Sequence, residues 1–285
     1  TREGAQGCTS FNEIIAKGYG EPQSAKEFAE LAQWVNYDGH RSLFESRSQN
    51  RKGLLMWMSH SCWPSMVWQT YDYYFEPTAA YFAIKKASEP LHIQWNPATD
   101  EVEVVNYSAG THKGLTAKVQ ILNMDASVAW EKEATVDSNE DTTNKCIKLA
   151  FPANLSKVHF IKMVLTENGK VVSDNFYHRS LEENNYQDLR QLAKVALQST
   201  TTVDKNADGT WSAVSVIENK TSTPALMIRL NVVGSKDGQQ LLPVFYSDNY
   251  FSLLPGEKKE VRMSWKDEDT RGNEGKVLIT GYNVE

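Results

Sequence analysis

Hydrophobic and polar residues change rhythm along this chain, and the change divides it. From Phe28 through Leu31, Ala32 and Val35 to Leu43 and Phe44, apolar positions keep a helical period. Ser24-Ala-Lys-Glu27 ahead of them is a capping box: Ser24 can accept from an orphan helix N–H and Glu27 can reach back. The pattern predicts a long helix from about Ala25 to about Gln49, stopped by Asn50-Arg-Lys-Gly53. Leu54 to Met58 follows as an apolar run without alternation, as in a strand buried on both faces of a parallel sheet. A long loop comes next, then a helix from about Thr78 to Ser88 behind Pro77. Helix, buried strand, loop and helix together predict the closing portion of a repeating α/β structure.

After Pro90 the period shortens to two. Leu91–Trp95, Glu101–Val105, Leu115–Leu122, Lys145–Leu149, Val158–Leu165 and Val171–Tyr177 alternate or carry β-branched residues. Turn signals at Asn96-Pro97, Ser108-Ala-Gly110 and Asn168-Gly169 separate them, which predicts a β-sandwich. A polar hinge, Leu181-Glu-Glu-Asn-Asn185, and a brief helical piece over about Tyr186–Leu192 lead to a second β-rich stretch. Its expected strands are Trp211–Ile217, Ala225–Val233, Val244–Phe251, Lys259–Trp265 and Lys276–Tyr282, with turns at Asp208-Gly209, Asp237-Gly238 and Pro255-Gly256. Ser-Asp-Asn-aromatic occurs twice, at Ser173–Phe176 and Ser247–Tyr250, without forming a clean tandem repeat.

Composition narrows the function classes. The 285 residues are 40% hydrophobic and 23% charged, an ordinary globular balance with room for two or three domains. A net charge of -6 argues against nucleic acid as the main partner. No apolar run approaches the ~18 residues that a membrane span needs. The chain starts at Thr1 without Met, so the numbering is expected to begin inside a longer protein, and no leader reveals the compartment. Cys8, Cys62 and Cys146 are too widely spaced for a disulfide framework or a zinc site. Cys62 lies two residues from His60 but in no protease context, and is expected to be a small buried residue. His92, His112 and His178 lack metal-ligand spacing and read as structural or solvated. No cofactor and no metal are expected.

The candidate chemistry is aromatic. Trp57, Trp63, Trp68, Tyr71, Tyr73, Tyr74 and Phe75 crowd one stretch in and after the Leu54–Met58 run. Pyranose C–H faces lie flat on such rings, so the stretch can build a sugar-stacking wall. Rings also fill cores and inter-domain seams, the commoner fate of aromatics. The residue pattern leaves both readings open.

Three segments carry a family resemblance: Trp57-Met-Ser-His-Ser-Cys-Trp-Pro-Ser65, Asp72-Tyr-Tyr74 and Tyr81-Phe-Ala-Ile-Lys-Lys-Ala-Ser-Glu-Pro-Leu-His-Ile-Gln94. They resemble glycoside hydrolase family 2, in the branch of the exo-β-D-glucosaminidases with the β-mannosidases nearby. Leu242-Pro-Val-Phe-Tyr-Ser-Asp-Asn-Tyr-Phe-Ser-Leu-Leu-Pro-Gly-Glu257 resembles the last immunoglobulin-like domain of that branch. The resemblance implies a multidomain α/β plus all-β chain. Residues 1–90 would close a catalytic (β/α)8 barrel as seventh helix, eighth strand (Leu54–Met58) and eighth helix. Immunoglobulin-like sandwiches over 91–180 and 181–285 would follow. Barrel active sites sit at the C-terminal ends of strands, so the aromatic loop would lie at the active-site mouth.

The implied chemistry is retaining glycoside hydrolysis, with an acid and a nucleophilic carboxylate roughly 5–5.5 Å apart. In this family they follow the fourth and seventh barrel strands, both upstream of Thr1. The resemblance therefore implies no catalytic residue in this chain. Glu3 and Glu13 follow no strand-like run, and Asp72 and Glu76 read as loop acceptors or sugar-hydroxyl partners. The implied substrate-binding residues are Trp57, as floor of the subsite for the non-reducing sugar, with His60, Trp63 and Trp68. The Trp57–Met58 peptide is implied to be cis. Relatives carry Leu-Asn where this chain has Ser59-His60, which leaves the sugar open. The implied partners are a β-linked oligosaccharide or glycoside and the upstream catalytic part, in the periplasm or outside the cell. Two other classes compete: a non-catalytic carbohydrate-binding or scaffolding module, and a plain immunoglobulin-like interaction protein. The sandwiches hold Trp95, Trp130, Trp211 and Trp265, and a strand-borne Trp is more often core than sugar platform.

Overall fold

The computed structural model of the chain describes residues 2–46, 53–64 and 69–285, with 2–10 as backbone alone. Three α-helices come first: α1 (Arg2–Tyr19), α2 (Ala25–Glu45) and α3 (Ala79–Ala87). Helix α2 starts one residue after Ser24, where the capping box puts it; residues 47–49 of the expected helix lie outside the described residues. Helix α1 was not expected. Its core contacts rest on Ile15 and Tyr19, four apart and 0% and 3% exposed. Gly20 at φ +85° ends it in the left-handed conformation, where a side chain would be strained.

The expected strand Leu54–Met58 is not a strand; the run is irregular and Leu55 is 103% exposed. A strand is maintained by its hydrogen-bond ladder, and no described strand forms a ladder with this run. The barrel portion of the expected fold class is accordingly not seen. The described architecture is mainly antiparallel β with three helices.

The chain divides into two compact units. One comprises Thr1–Ala25, Asp38–Leu55 and Ala83–Gln191; the other comprises Lys26–Tyr37, Met56–Phe82 and Leu192–Glu285.

In the first unit, β1 (Leu91–Asn96), β2 (Glu101–Asn106) and β5 (Thr142–Lys148) form a sheet in the order β1-β2-β5. The sheet β4-β3-β6-β7 is built from β3 (His112–Asn123), β4 (Val128–Ser138), β6 (Val158–Glu167) and β7 (Lys170–Ser180). All ladders are antiparallel. Alternation along β3 sends Leu115, Ala117, Val119 and Ile121 into a core shared with Ile93, Val104 and Trp95. Strand β4 was not expected, because Glu131-Lys-Glu133 breaks its hydrophobic pattern; as an edge strand it can carry that charge.

A 3₁₀ turn over Gln187–Gln191 stands where the brief helical piece was expected. The second unit then holds β8 (Gln198–Lys205), β9 (Thr210–Glu218), β10 (Ala225–Gly234), β11 (Phe245–Tyr246), β12 (Phe251–Leu253), β13 (Lys258–Lys266) and β14 (Gly275–Thr280). They form two sheets, β11-β13-β9-β8 and β12-β10-β14. Trp265 is 2% exposed, and a Cβ on Gly275 would lie 2.4 Å from its ring, so only glycine fits there. The expected strand Val244–Phe251 is broken into β11 and β12. Between them the Asn249 side chain replaces strand pairing: it accepts from Leu230 N at 2.8 Å and donates to Leu230 O at 2.9 Å. Asn175, in the other Ser-Asp-Asn-aromatic copy, donates to Ile93 O at 3.1 Å. The two copies thus share a local job within their own units.

Candidate functional site

The aromatic loop is assembled by short-range backbone chemistry in the second unit. Tyr71 N donates to Ser59 O at 3.0 Å, and Thr78 N donates to Thr70 O at 2.9 Å, which fixes both ends. Between them the Asp72 carboxylate accepts from Tyr74 N at 2.8 Å and from Glu76 N at 2.9 Å. This is an Asx-type turn, and it holds Phe75 at φ +67°. Glu76 forms an ion pair with Arg229, whose guanidinium also lies 5.8 Å from the Tyr250 ring centroid. Burial opposes charge on Arg229, but Tyr250 and Glu76 outweigh it and raise its pKa. Asp72 is therefore a loop acceptor, as expected, while Glu76 is committed to a cation that the sequence did not reveal.

The rings project from this frame. Trp57 is 80% exposed, Trp63 67%, Phe75 59% and Tyr74 58%. Among the described rings of the stretch, Tyr71 turns inward, against Tyr81 at 5.2 Å between centroids. Burial and the neighbouring Tyr81 raise its phenol pKa. The Trp57–Met58 peptide is cis, as the resemblance implied. His60 stacks on Phe75 at 4.5 Å and 15° between planes. Its Nε2 lies 3.4 Å from Tyr73 O and must carry the proton if that contact is to be a hydrogen bond. The structure thus brings His60, Tyr73 and Phe75 together and leaves Trp57 and Trp63 open to solvent. Trp68 lies outside the described residues.

Each fully buried aromatic side chain removes roughly 150–250 Å² from water. At about 25 cal/mol per Å² an exposed Trp forgoes several kcal/mol of folding free energy. Clustered rings left in solvent mark an interaction surface. The loop presents stacking faces, a histidine and backbone polar groups.

Other candidates resolve differently. Glu13 lies exposed on α1, and of Glu3 only the backbone is described. Cys62 is exposed, a correction to the expected burial: it sits on the loop beside the exposed Trp63. Burial raises the Cys146 thiol to about 11, so it stays protonated and unreactive at neutral pH. Among the described residues no cluster could hold a metal ion.

His92, His178 and His112 are held by hydrogen bonds within the first unit. His92, in the first unit, is 1% exposed and lies between Glu45 Oε1 at 3.2 Å and Glu89 Oε2 at 3.1 Å. Burial opposes its charge, but the hydrogen bonds and charges of the two carboxylates outweigh it and raise its pKa. Glu45 also accepts from Asn175 Nδ2 at 2.8 Å and Tyr177 OH at 2.9 Å. His178 bonds Tyr19 OH at 2.9 Å, and burial lowers its pKa to about 4. His112, partly exposed, bridges Ser108 Oγ and Glu167 Oε1, each at 2.8 Å.

Comparison with known proteins gives one consistent result. Residues 175–284 match the family described as the exo-β-D-glucosaminidase Ig-fold domain. The exo-β-D-glucosaminidase of Streptomyces avermitilis is 31% identical over 96% of this chain and 34% of its own length. The mannosylglycoprotein endo-β-mannosidase of Lilium longiflorum is 25% identical over 93% of this chain and 34% of its own. The crystal structure of Amycolatopsis orientalis exo-chitosanase CsxA superposes with a TM-score of 0.90 at 30% identity, covering 97% of this chain and 36% of that one. The chain therefore spans about a third of the length of these relatives.

Proposed function

This chain belongs to glycoside hydrolase family 2, and on that premise we propose that it is the C-terminal part of a retaining exo-β-glycosidase. In this reading residues 1–90 close a (β/α)8 barrel, with α2 as seventh helix and α3 as eighth. Leu54–Met58 becomes the eighth strand once an upstream strand pairs with it; the exposed Leu55 supports this, since a neighbouring strand would cover it. Sandwiches over 91–180 and 181–285 follow. The acid and the nucleophile come from upstream, and this chain supplies a wall of the sugar pocket.

Trp57 stacks on the non-reducing sugar, flanked by His60, Trp63 and Trp68. The observation that carries the proposal is the 80% exposure of Trp57 within a loop whose turns are fully hydrogen-bonded. An aromatic face open to solvent on an ordered loop is available for stacking. The substrate is a β-linked saccharide, and glucosaminides come first because that sugar is in the relatives' names. His60, in place of the relatives' Asn, tunes which hydroxyl is read. The carbohydrate-binding alternative loses ground because Trp95 and Trp265 are 6% and 2% exposed, while Trp130 and Trp211 are half-buried.

The test is hydrolysis of aryl β-glycosides by the full-length gene product, by its Trp57→Ala variant and by this chain alone. Activity is expected in the first, a loss of about 100-fold or more in the second, and none in the third. Turnover by this chain alone, or an unaffected Trp57→Ala enzyme, would overturn the proposal.

A further inference from the structure

The second unit contains a cleft of about 290 Å³ that the proposed activity does not use. Lys26, Glu30 and Gln33 of α2, spaced four and three apart, line one wall. Met227, Arg229 and Asn231 of β10, spaced by two, line another. Tyr250 and Tyr282 contribute rings. Met227 sits at φ +51° where the β10–β12 register shifts between Ala225 and Ile228. A bulge of this kind re-aims a side chain, and here it adds a thioether to the lining.

The lining selects a ligand class. Its charges are already matched: Arg229 pairs with Glu76, and Lys26 lies 3.9 Å from Glu30. An anionic ligand would have to displace one of those carboxylates. Gln33 Oε1 already accepts from Ala79 N at 2.8 Å and Thr280 Oγ1 lies 3.5 Å from Arg229 O, but a purely apolar ligand would still leave the Gln33 Nε2 and the Asn231 carboxamide of the lining unmatched. Arg229 has five N–H donors; its Nε is buried with no partner, so Glu76 does not satisfy the group. Interspersed donors and acceptors, two tyrosine rings and no unpaired charge complement a pyranose, which carries hydroxyls around its edge and C–H groups on its faces. The volume, at the low end of ligand pockets (roughly 300–1,000 Å³), suits one sugar ring rather than a polymer.

We propose that this cleft is a second saccharide-binding site, separate from the aromatic loop, that holds a single pyranose of a β-linked sugar between α2 and β10. It does not depend on the reading of Trp57, and its test removes that residue first.

The experiment is saturation-transfer NMR on this whole chain carrying Trp57→Ala. The probes are the β-1,4-linked disaccharides of glucosamine, mannose and glucose. Saturable binding of at least one is expected. Ala29→Trp, at an exposed helix position on the cleft rim, fills the space without touching the core. Added to Trp57→Ala, it is expected to weaken that binding at least about tenfold, and Asn231→Ala about threefold to tenfold. Circular dichroism checks that each variant is folded. Absence of any disaccharide binding in the Trp57→Ala chain, or affinity unchanged by Ala29→Trp, overturns the proposal. So does displacement of a bound sugar by citrate in the Trp57→Ala chain, which would assign the cleft to anions.

Discussion

Trp57 leaves 80% of its surface in solvent, whereas Glu45 at the end of α2 exposes 6%. The aromatic loop and the Glu45 cluster both depart from the usual partition of side chains, in opposite senses. In the cluster the departure is compensated. The carboxylate of Glu45 accepts hydrogen bonds from His92, Asn175 and Tyr177, and Arg41 bonds Asp38 Oδ1 at 2.8 Å and Asn175 Oδ1 at 3.1 Å. Buried charge with its lone pairs met is scaffolding. In the loop, turn chemistry is complete while ring surface is left open. Order without coverage is what the proposed sugar wall would require. Neither exposure nor burial is diagnostic alone; what the polar groups around it have found as partners decides.

Glu45→Ala tests the first half of this contrast and carries the largest expected effect. It leaves His92 with Glu89 as its one remaining carboxylate and removes an acceptor from Tyr177 and Asn175. A loss of about 3–5 kcal/mol in urea unfolding is expected, with saccharide affinity of the remaining folded protein unchanged. A loss below about 1 kcal/mol would mean the network is ornamental.

Acid should reach the same unit through His178. Its folded pKa of about 4 lies below the unfolded value of about 6.5, so between them only the unfolded chain takes up the proton. Stability from this group is full above pH 6.5 and falls as pH drops to 4, by about 3 kcal/mol. His92 has the opposite sign: its raised pKa gives stability that is full below 6.5 and lost as pH rises through the folded value. Melting temperatures at pH 7 and pH 4 should therefore differ less in His178→Gln than in the parent. Equal differences would remove His178 from the account.

Trp57→Ala belongs to the other half. Saccharide affinity of the full-length enzyme should drop by about 2 kcal/mol or more, as for a hot-spot ring. Unfolding free energy of this chain should move by less than about 0.5 kcal/mol, as for an exposed position. A large destabilisation would make the ring structural and dissolve the contrast.

The two regions were not equally legible in sequence. Strands such as β3 and β13 show their burial as alternation and were expected within a few residues. Strands β4 and β8 were not, because Glu131-Lys-Glu133 and Thr200-Thr-Thr202 carry no hydrophobic face for a pattern to report. Leu54–Met58 read as a strand because an apolar run specifies burial but not the partner that a ladder requires. The loop's rings and Asp72 are local and could be named. The Glu45 cluster joins residues 47 and 130 positions apart, and nothing near Glu45 in sequence announces His92 or Asn175. The Glu76–Arg229 pair spans 153 positions and was missed for the same reason.

Asp72 offers the smallest effect and the finest discrimination. Its carboxylate orders the loop through Tyr74 N and Glu76 N, both near solvent. Asp72→Ala frees two N–H groups that water can satisfy, so a cost of about 1 kcal/mol is expected, by analogy with the loss of a helix cap. The cost should show as weaker saccharide binding, because the rings lose preorganisation. Asp72→Asn keeps an oxygen acceptor for the same two donors and should restore most of the affinity. A group that contacted sugar as a charged acceptor, or took part in proton transfer, would fail with Asn as fully as with Ala. Parallel binding curves for the two variants in the full-length enzyme therefore separate a residue that shapes the wall from one that touches what the wall holds.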